Sequence, residues 1–145
     1  MSDRPDASTL EQNDGNLLAG IGMLAEEMRS TTSVRPELQL DLKAGQHLSA
    51  SAVDGMLLIA RAAVSNVIQH AGARSALIKL ACDSGQVVLI VRDTGCGFDP
   101  RRVHRRAGSG LQEMAERARL IGGYLAVESS PGGGAEVRLT IPGSA

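Results

Sequence analysis

Large rings are almost missing from this chain: tryptophan is absent, and Phe98 and Tyr124 are the only aromatic residues among 145. That scarcity argues against recognition of single-stranded nucleic acid by base stacking, and it leaves the core to close packing of Ala, Val, Leu and Ile. An excess of charge is missing too. With 15 basic and 16 acidic residues the formal net charge is −1, so no global field holds a nucleic-acid backbone or an anionic membrane. Cysteine is reduced to Cys82 and Cys96, too few for a disulfide framework and without the close ligand pairs of a structural zinc site. The N-terminal "MSDRPDASTLEQNDG" has no basic segment feeding an apolar core, and "LLAGIGMLA" is too short to span a bilayer. Together these features read as a cytosolic domain with no direct membrane insertion, whether soluble or carried by a membrane-anchored protein. The length is that of one domain, enough to bury roughly two-thirds of the unfolded surface.

The periods along the chain give the organisation. Residues 1–12 read as a flexible lead. From Asn13, Leu17, Ile21, Leu24 and Met28 recur at helical spacing, with Asn13 or Asp14 as cap. "ELQLDL" alternates as a short strand, and the serines of "KAGQHLSAS" are placed to cap a second helix from about Ala50 to Ala71. Val53, Met56, Leu57, Ala60, Val64, Val67 and Ile68 give that helix a wide apolar face. "SALIKLACD" and "QVVLIVRD" flank Ser84 and Gly85 as an antiparallel hairpin. A third helix follows in "SGLQEMAERARLIGG", with Leu111, Met114, Ala118 and Ile121 inward, and "YLAVES" and "AEVRLTIP" form two last strands. Helices interrupting the strands exclude an all-hairpin sheet. The expected fold is α/β: a two-layer sandwich, its mixed sheet covered on one face by about three helices.

Three places stand out as candidate chemistry. Asp93 ends an apolar, β-branched strand and is followed by the G-x-G of "DTGCGFDP", where Gly95 and Gly97 suit either a sharp turn or the wall of a ligand cleft. On the long helix, Ala62, Asn66 and His70 share one stripe. They read either as a surface Asn and a His favoured by the helix C-terminus, or as an oxygen ligand for hydrated Mg²⁺ and a donor to phosphate. Arg101, Arg102, His104, Arg105 and Arg106 form either a solvated charge run or the approach to an anion site made by Gly108, Ser109 and Gly110 at a helix start. The full dinucleotide-binding fingerprint and the G-x-x-x-x-G-K-S/T phosphate loop are both missing. A thiol nucleophile at Cys96 has no implied orienting group.

Four segments, in order, carry a resemblance. "ARAAVSNVIQHAGA" resembles the first nucleotide box of the GHKL superfamily, "VRDTGCGFDP" its Asp-x-Gly-x-Gly box, "GSGL" its second glycine box, and "YLAVESSPGGGAEVRLTIP" its closing hairpin. The match, over residues 13–145, looks like the catalytic, ATP-binding domain of a two-component sensor histidine kinase of the nitrate-sensor-like class with a short lid. The resemblance implies a Bergerat-type fold that binds ATP and Mg²⁺. Asp93 would accept from the adenine amino group, Gly95 and Gly97 make room for base and ribose, and Asn66 carry Mg²⁺. Gly108, Ser109, Gly110 and Leu111 would lie at the phosphates, with His70 nearby. The implied partners are a dimerisation and phosphoacceptor domain and, indirectly, a response regulator.

Three positions depart from the family pattern. Ala62 stands where a Glu is usual, Gln69 where a Lys or Arg is common, and Ala135 where a Thr supports adenine recognition. Asp93, Asn66 and the 108–110 turn are expected to converge on one cleft. The chain alone is expected not to phosphorylate itself.

Overall fold

Alternating apolar residues build the sheet, and three amphipathic helices cover one of its faces. The structure, a computed structural model, describes residues 7–71, 74–95, 110–129 and 133–142. Helix α1 (Ala7–Thr31) leads into strand β1 (Arg35–Leu40), a single 3₁₀ turn at Ala44–His47 and helix α2 (Ala50–Asn66). Strands β2 (Ser75–Asp83) and β3 (Gln86–Asp93), helix α3 (Leu111–Leu120), and strands β4 (Tyr124–Ser129) and β5 (Ala135–Pro142) follow. In this notation the strand order is β1-β2-β3-β5-β4, with β1 parallel to β2 and the other neighbours antiparallel. A mixed sheet was the expectation, and the α2 crossover between β1 and β2 is what makes one pair parallel.

Register aligns the core into rows across the sheet. Ile78, Val91 and Val137 lie side by side, as do Leu80, Leu89 and Leu139. All six are buried against the helices. From α1, Leu17, Ile21, Leu24 and Met28 enter this core; from α2, Val53, Met56, Ala60, Val64 and Val67; and from α3, Leu111, Met114 and Ala118. The stretch Ala50–Gln69 has a mean hydropathy of 1.4 and the length of a membrane-crossing segment. The fold uses that apolarity to seat the helix at the centre of the core.

Local chemistry sets most element ends. The Ser49 hydroxyl accepts the Ala52 amide at 3.1 Å, capping α2. Ser84 and Gly85 both take positive φ in the β2–β3 turn, 52° and 80°, which matches the twist of the flanking strands. Three elements differ from the sequence expectation, the first being β1, which runs over Arg35–Leu40 where "ELQLDL", residues 37–42, was expected. Helix α1 begins at Ala7, so residues 7–12 are helical and do not belong to a flexible lead; the caps at Asn13 and Asp14 are interior positions, and the Asp14 side chain instead accepts the Gly45 amide at 3.3 Å. The second helix keeps α geometry only to Asn66 and continues as a π turn over Val67–Ala71. Apolar periodicity does not signal that widening, because Val67 and Ile68 stay on the core side through it.

Candidate functional site

Strand period carries Asp93 inward. Val87, Leu89 and Val91 point into the core, and Asp93, two residues further along β3, lies on the same face. It is 7 % exposed, the one buried charged side chain among the described residues. Its neighbours in register are Ala76 on β2 and Ala135 on β5, so short side chains flank the carboxylate. The Gly95 amide donates to Asp93 Oδ1 at 2.8 Å, and the Ala135 amide also bonds the carboxylate. Burial nevertheless dominates these two donors and raises the Asp93 pKa above its ordinary 3.8.

That raised value has a sign that can be checked. The folded state holds the Asp93 proton more tightly than the unfolded chain, so this group's contribution to stability falls as pH rises from about 3.8 through the raised folded value. Urea titrations across that interval should show the decline in the native chain and its loss in Asp93→Asn. An identical pH slope in both proteins would contradict the assignment.

Asp93 borders a hollow of about 420 Å³ with Arg92, Glu128, Ser129 and residues 133–136. Gly134 closes against it with φ at +75°, where an added Cβ would stand 2.5 Å from the Asp93 carbonyl oxygen. At Ala135, where a Thr hydroxyl was expected to help, the backbone amide is the group that reaches the carboxylate. Beside it, Arg92 and Arg138 pair with Glu136 on the outer surface.

A second cleft, about 450 Å³, runs between α2 and α3. From α2 it is lined by Leu58, Arg61, Ala62, Ser65 and Asn66, with Gln69 from the π turn; from α3 come Glu113, Met114 and Arg117, and Gly110 stands at the helix start. The structure therefore brings Asn66, Ala62 and Gly110 together. Gly110 caps α3 in the left-handed region, φ 82°, and offers no side-chain cap. Leu111 is buried behind it. The Asn66 side chain lines this cleft and has no hydrogen-bond partner among the described residues. The described residues hold no group of three His, Cys, Asp or Glu that could bind a metal.

Asp93 and Asn66 line different cavities among the described residues. Gly97, Gly108, Ser109, Cys96 and the basic run at 101–106 lie outside the described residues, as does the His70 side chain. Sequence reasoning missed Arg61, Ser65, Glu113 and Arg117 as cleft residues. A signal was present: Arg61 and Ser65 flank Ala62 and Asn66 on the same helical stripe, and Arg117 is two turns beyond Gly110.

Comparison with known proteins bears on the fold and the family. The sensor histidine kinase MtrB of Mycobacterium tuberculosis is 34% identical over 154 aligned residues, covering 94% of this chain and 26% of MtrB. The chain thus spans about a quarter of that relative's length. Among solved structures, the histidine kinase domain of the Erythrobacter litoralis EL346 blue-light activated kinase superposes with a TM-score of 0.73 at 19% identity, over 87% of this chain and 60% of that one. The ATP binding domain of PrrB from Mycobacterium tuberculosis gives 0.65 at 24% identity, over 88% and 93%. At those identities the likeness speaks for the fold. The sequence profile that matches residues 52–145, taking in most of α2, the whole β2–β3 hairpin and everything after it, places the chain in the histidine kinase-, DNA gyrase B- and HSP90-like ATPase family.

Proposed function

We propose that this chain is the ATP-binding catalytic domain of a two-component sensor histidine kinase, presenting Mg·ATP to a histidine on a separate dimerisation domain. One observation carries the reading: a carboxylate buried in a row of small residues, fixed by two amides and left at the edge of a hollow. Burying a charge costs several kcal/mol in a protein, of order ~3–5 when its partner is lost, and a core gains nothing from it. An adenine amino group is a donor that such an acid suits. The donor set also fits the metal. Mg²⁺ prefers oxygen ligands, keeps several waters and takes one or two protein groups beside substrate phosphates, so a single Asn66 amide is adequate.

In this reading Asp93 reads the base, with Gly95 and Gly97 making room for it. The cleft at Asn66 and Gly110 takes the phosphates, with Gly108, Ser109, Leu111 and His70 beside it. Bound Mg²⁺ would supply charge neutralisation to the transferred phosphoryl group. The finer class, nitrate-sensor-like with a short lid, rests on the close spacing of the two glycine boxes. A cytoplasmic location and a response regulator downstream belong to the same proposal.

A second reading, a nucleotide-sensing or protein-interaction module without catalysis, is favoured by one feature. Ala62 and Gln69 both line the α2–α3 cleft, and there they bring neither the Glu carboxylate nor the Lys or Arg charge common at those positions. Incubation with γ-labelled Mg·ATP separates the readings. We expect no stable phosphohistidine on the chain alone, because transfer needs an acceptor imidazole held in line. Label should pass to a dimeric acceptor-helix protein added in trans. Labelling of His47, His70 or His104 would contradict this, and binding without transfer to the cognate acceptor would select the second reading.

A further inference from the structure

Outside the α2–α3 cleft, four of the described arginines pair with neighbouring acids, while Arg35 and Arg74 have no ion pair among the described residues. Arg29 pairs with Glu26 and Arg119 with Glu116, each at 2.6 Å, while Arg92 and Arg138 share Glu136. The two arginines of the α2–α3 cleft are set apart by their place, both lining one cavity. The Arg61 and Arg117 side chains have no hydrogen-bond or ion-pair partner among the described residues. The acid best placed to neutralise Arg117 is Glu113, one turn earlier on the same helix and at the spacing that favours a pair. It lines the same cleft and makes no such pair. Two guanidiniums against one carboxylate give the described lining of the cleft an excess of positive charge.

The space between them is open because both walls carry short residues at its middle. The Ala62 Cβ is 4.0 Å from where a side chain on Gly110 would begin. Leu58, Ile59 and Met114 contribute apolar surface to the same lining, and charge interactions strengthen where water is partly displaced. A volume of about 450 Å³ is that of a small-ligand site, within the usual range of roughly 300–1,000 Å³. Guanidiniums offer planar, paired donors that match phosphate oxygens.

From this geometry we infer that Arg61 and Arg117 bind the outer phosphates of the nucleotide, supplying from α2 and α3 the positive charge that Gln69 does not carry. The inference rests on the nucleotide reading above, and its test separates the two. NMR titrations of the ¹⁵N-labelled chain with Mg·ATP and with AMP measure the phosphate contribution apart from that of the base. In the native chain Mg·ATP should bind more tightly than AMP. Arg61→Gln and Arg117→Gln should each weaken Mg·ATP about tenfold, the scale of one charge-assisted hydrogen bond, while AMP affinity stays within about twofold. Both side chains are exposed, so the variants should melt with the native protein. Gln69→Lys should tighten Mg·ATP and leave AMP unchanged. Equal losses for ATP and AMP, or no loss for ATP, would overturn the role of the arginines. A native chain that binds AMP as tightly as Mg·ATP would overturn it while leaving the base site standing. No binding of either nucleotide by the native chain would overturn both readings together.

Discussion

Replacing Asp93 with Asn should weaken Mg·ATP binding by about 100-fold and leave the fold in place. The native carboxylate accepts the Gly95 and Ala135 amides and borders the hollow with its remaining acceptor capacity. An amide of the same shape keeps one oxygen and turns the other position into a donor, facing the adenine amino group donor to donor. Hydrogen bonds to a charged partner are worth about 1.5–3 kcal/mol, and a mismatched buried donor adds its own desolvation cost. Their sum corresponds to roughly two orders of magnitude in affinity. Calorimetry with Mg·ATP on both proteins reads the difference directly. An affinity within about threefold of native would remove Asp93 from the site and, with it, the observation on which the ATP reading stands. The change should be read alongside a urea melt. Removing the buried charge relieves a desolvation penalty, so any lost binding in a protein that unfolds normally belongs to recognition and not to collapse of the sheet.

How much of this was legible beforehand follows from which signals are local. Strands β2 to β5 have strong alternation and tight turn residues, and their limits coincide with the apolar runs read from sequence. The helix faces were legible for the same reason: Leu17, Ile21, Leu24 and Met28 recur at a period that only one buried stripe satisfies. The start of α1 was not, because residues 7–12 carry one large apolar side chain, Leu10, and so no period of their own, and a cap is a weak signal inside a helix that packing holds. The π turn after Asn66 was invisible since it changes hydrogen bonding without moving Val67 or Ile68 out of the core. For the site, sequence located Asp93 and Asn66 as unusual residues. It could not place Arg61 beside Arg117, because that juxtaposition depends on how α2 packs against α3 across 55 intervening residues. It also assigned Ala135 a lost hydroxyl, whereas β5 register gives that residue an amide contact to Asp93 that no side-chain identity records.

Glycine at 134 should prove far less replaceable than glycine at 85, although both sit at nearly the same backbone angle. Their φ values are +75° and +80°, so substitution by Ala imposes on each a similar left-handed penalty of about 1–2 kcal/mol. What differs is the space. A Cβ on Gly85 meets nothing within 4 Å, whereas on Gly134 it would stand 2.5 Å from the Asp93 carbonyl oxygen and 3.6 Å from the Thr94 Cα. The obstructing atom is backbone, at the last residue of β3, and cannot rotate aside as a side chain would. Relief requires β5 to withdraw from β3 at the Asp93–Ala135 pair, which also pulls the Ala135 amide from the carboxylate. We therefore expect Gly85→Ala to cost about 1 kcal/mol and Gly134→Ala about 3–4 kcal/mol, from strain plus a lost buried hydrogen bond. Urea denaturation of the two variants measures the stabilities, and Mg·ATP titration of the folded fraction measures the site. Gly134→Ala should lose at least tenfold in ATP affinity through the displaced Asp93, while Gly85→Ala, at the far end of the β2–β3 hairpin, should bind as the native chain does. Equal destabilisation by the two substitutions would mean that the β3–β5 approach is not tight at the acid, and that Gly134 serves only its turn.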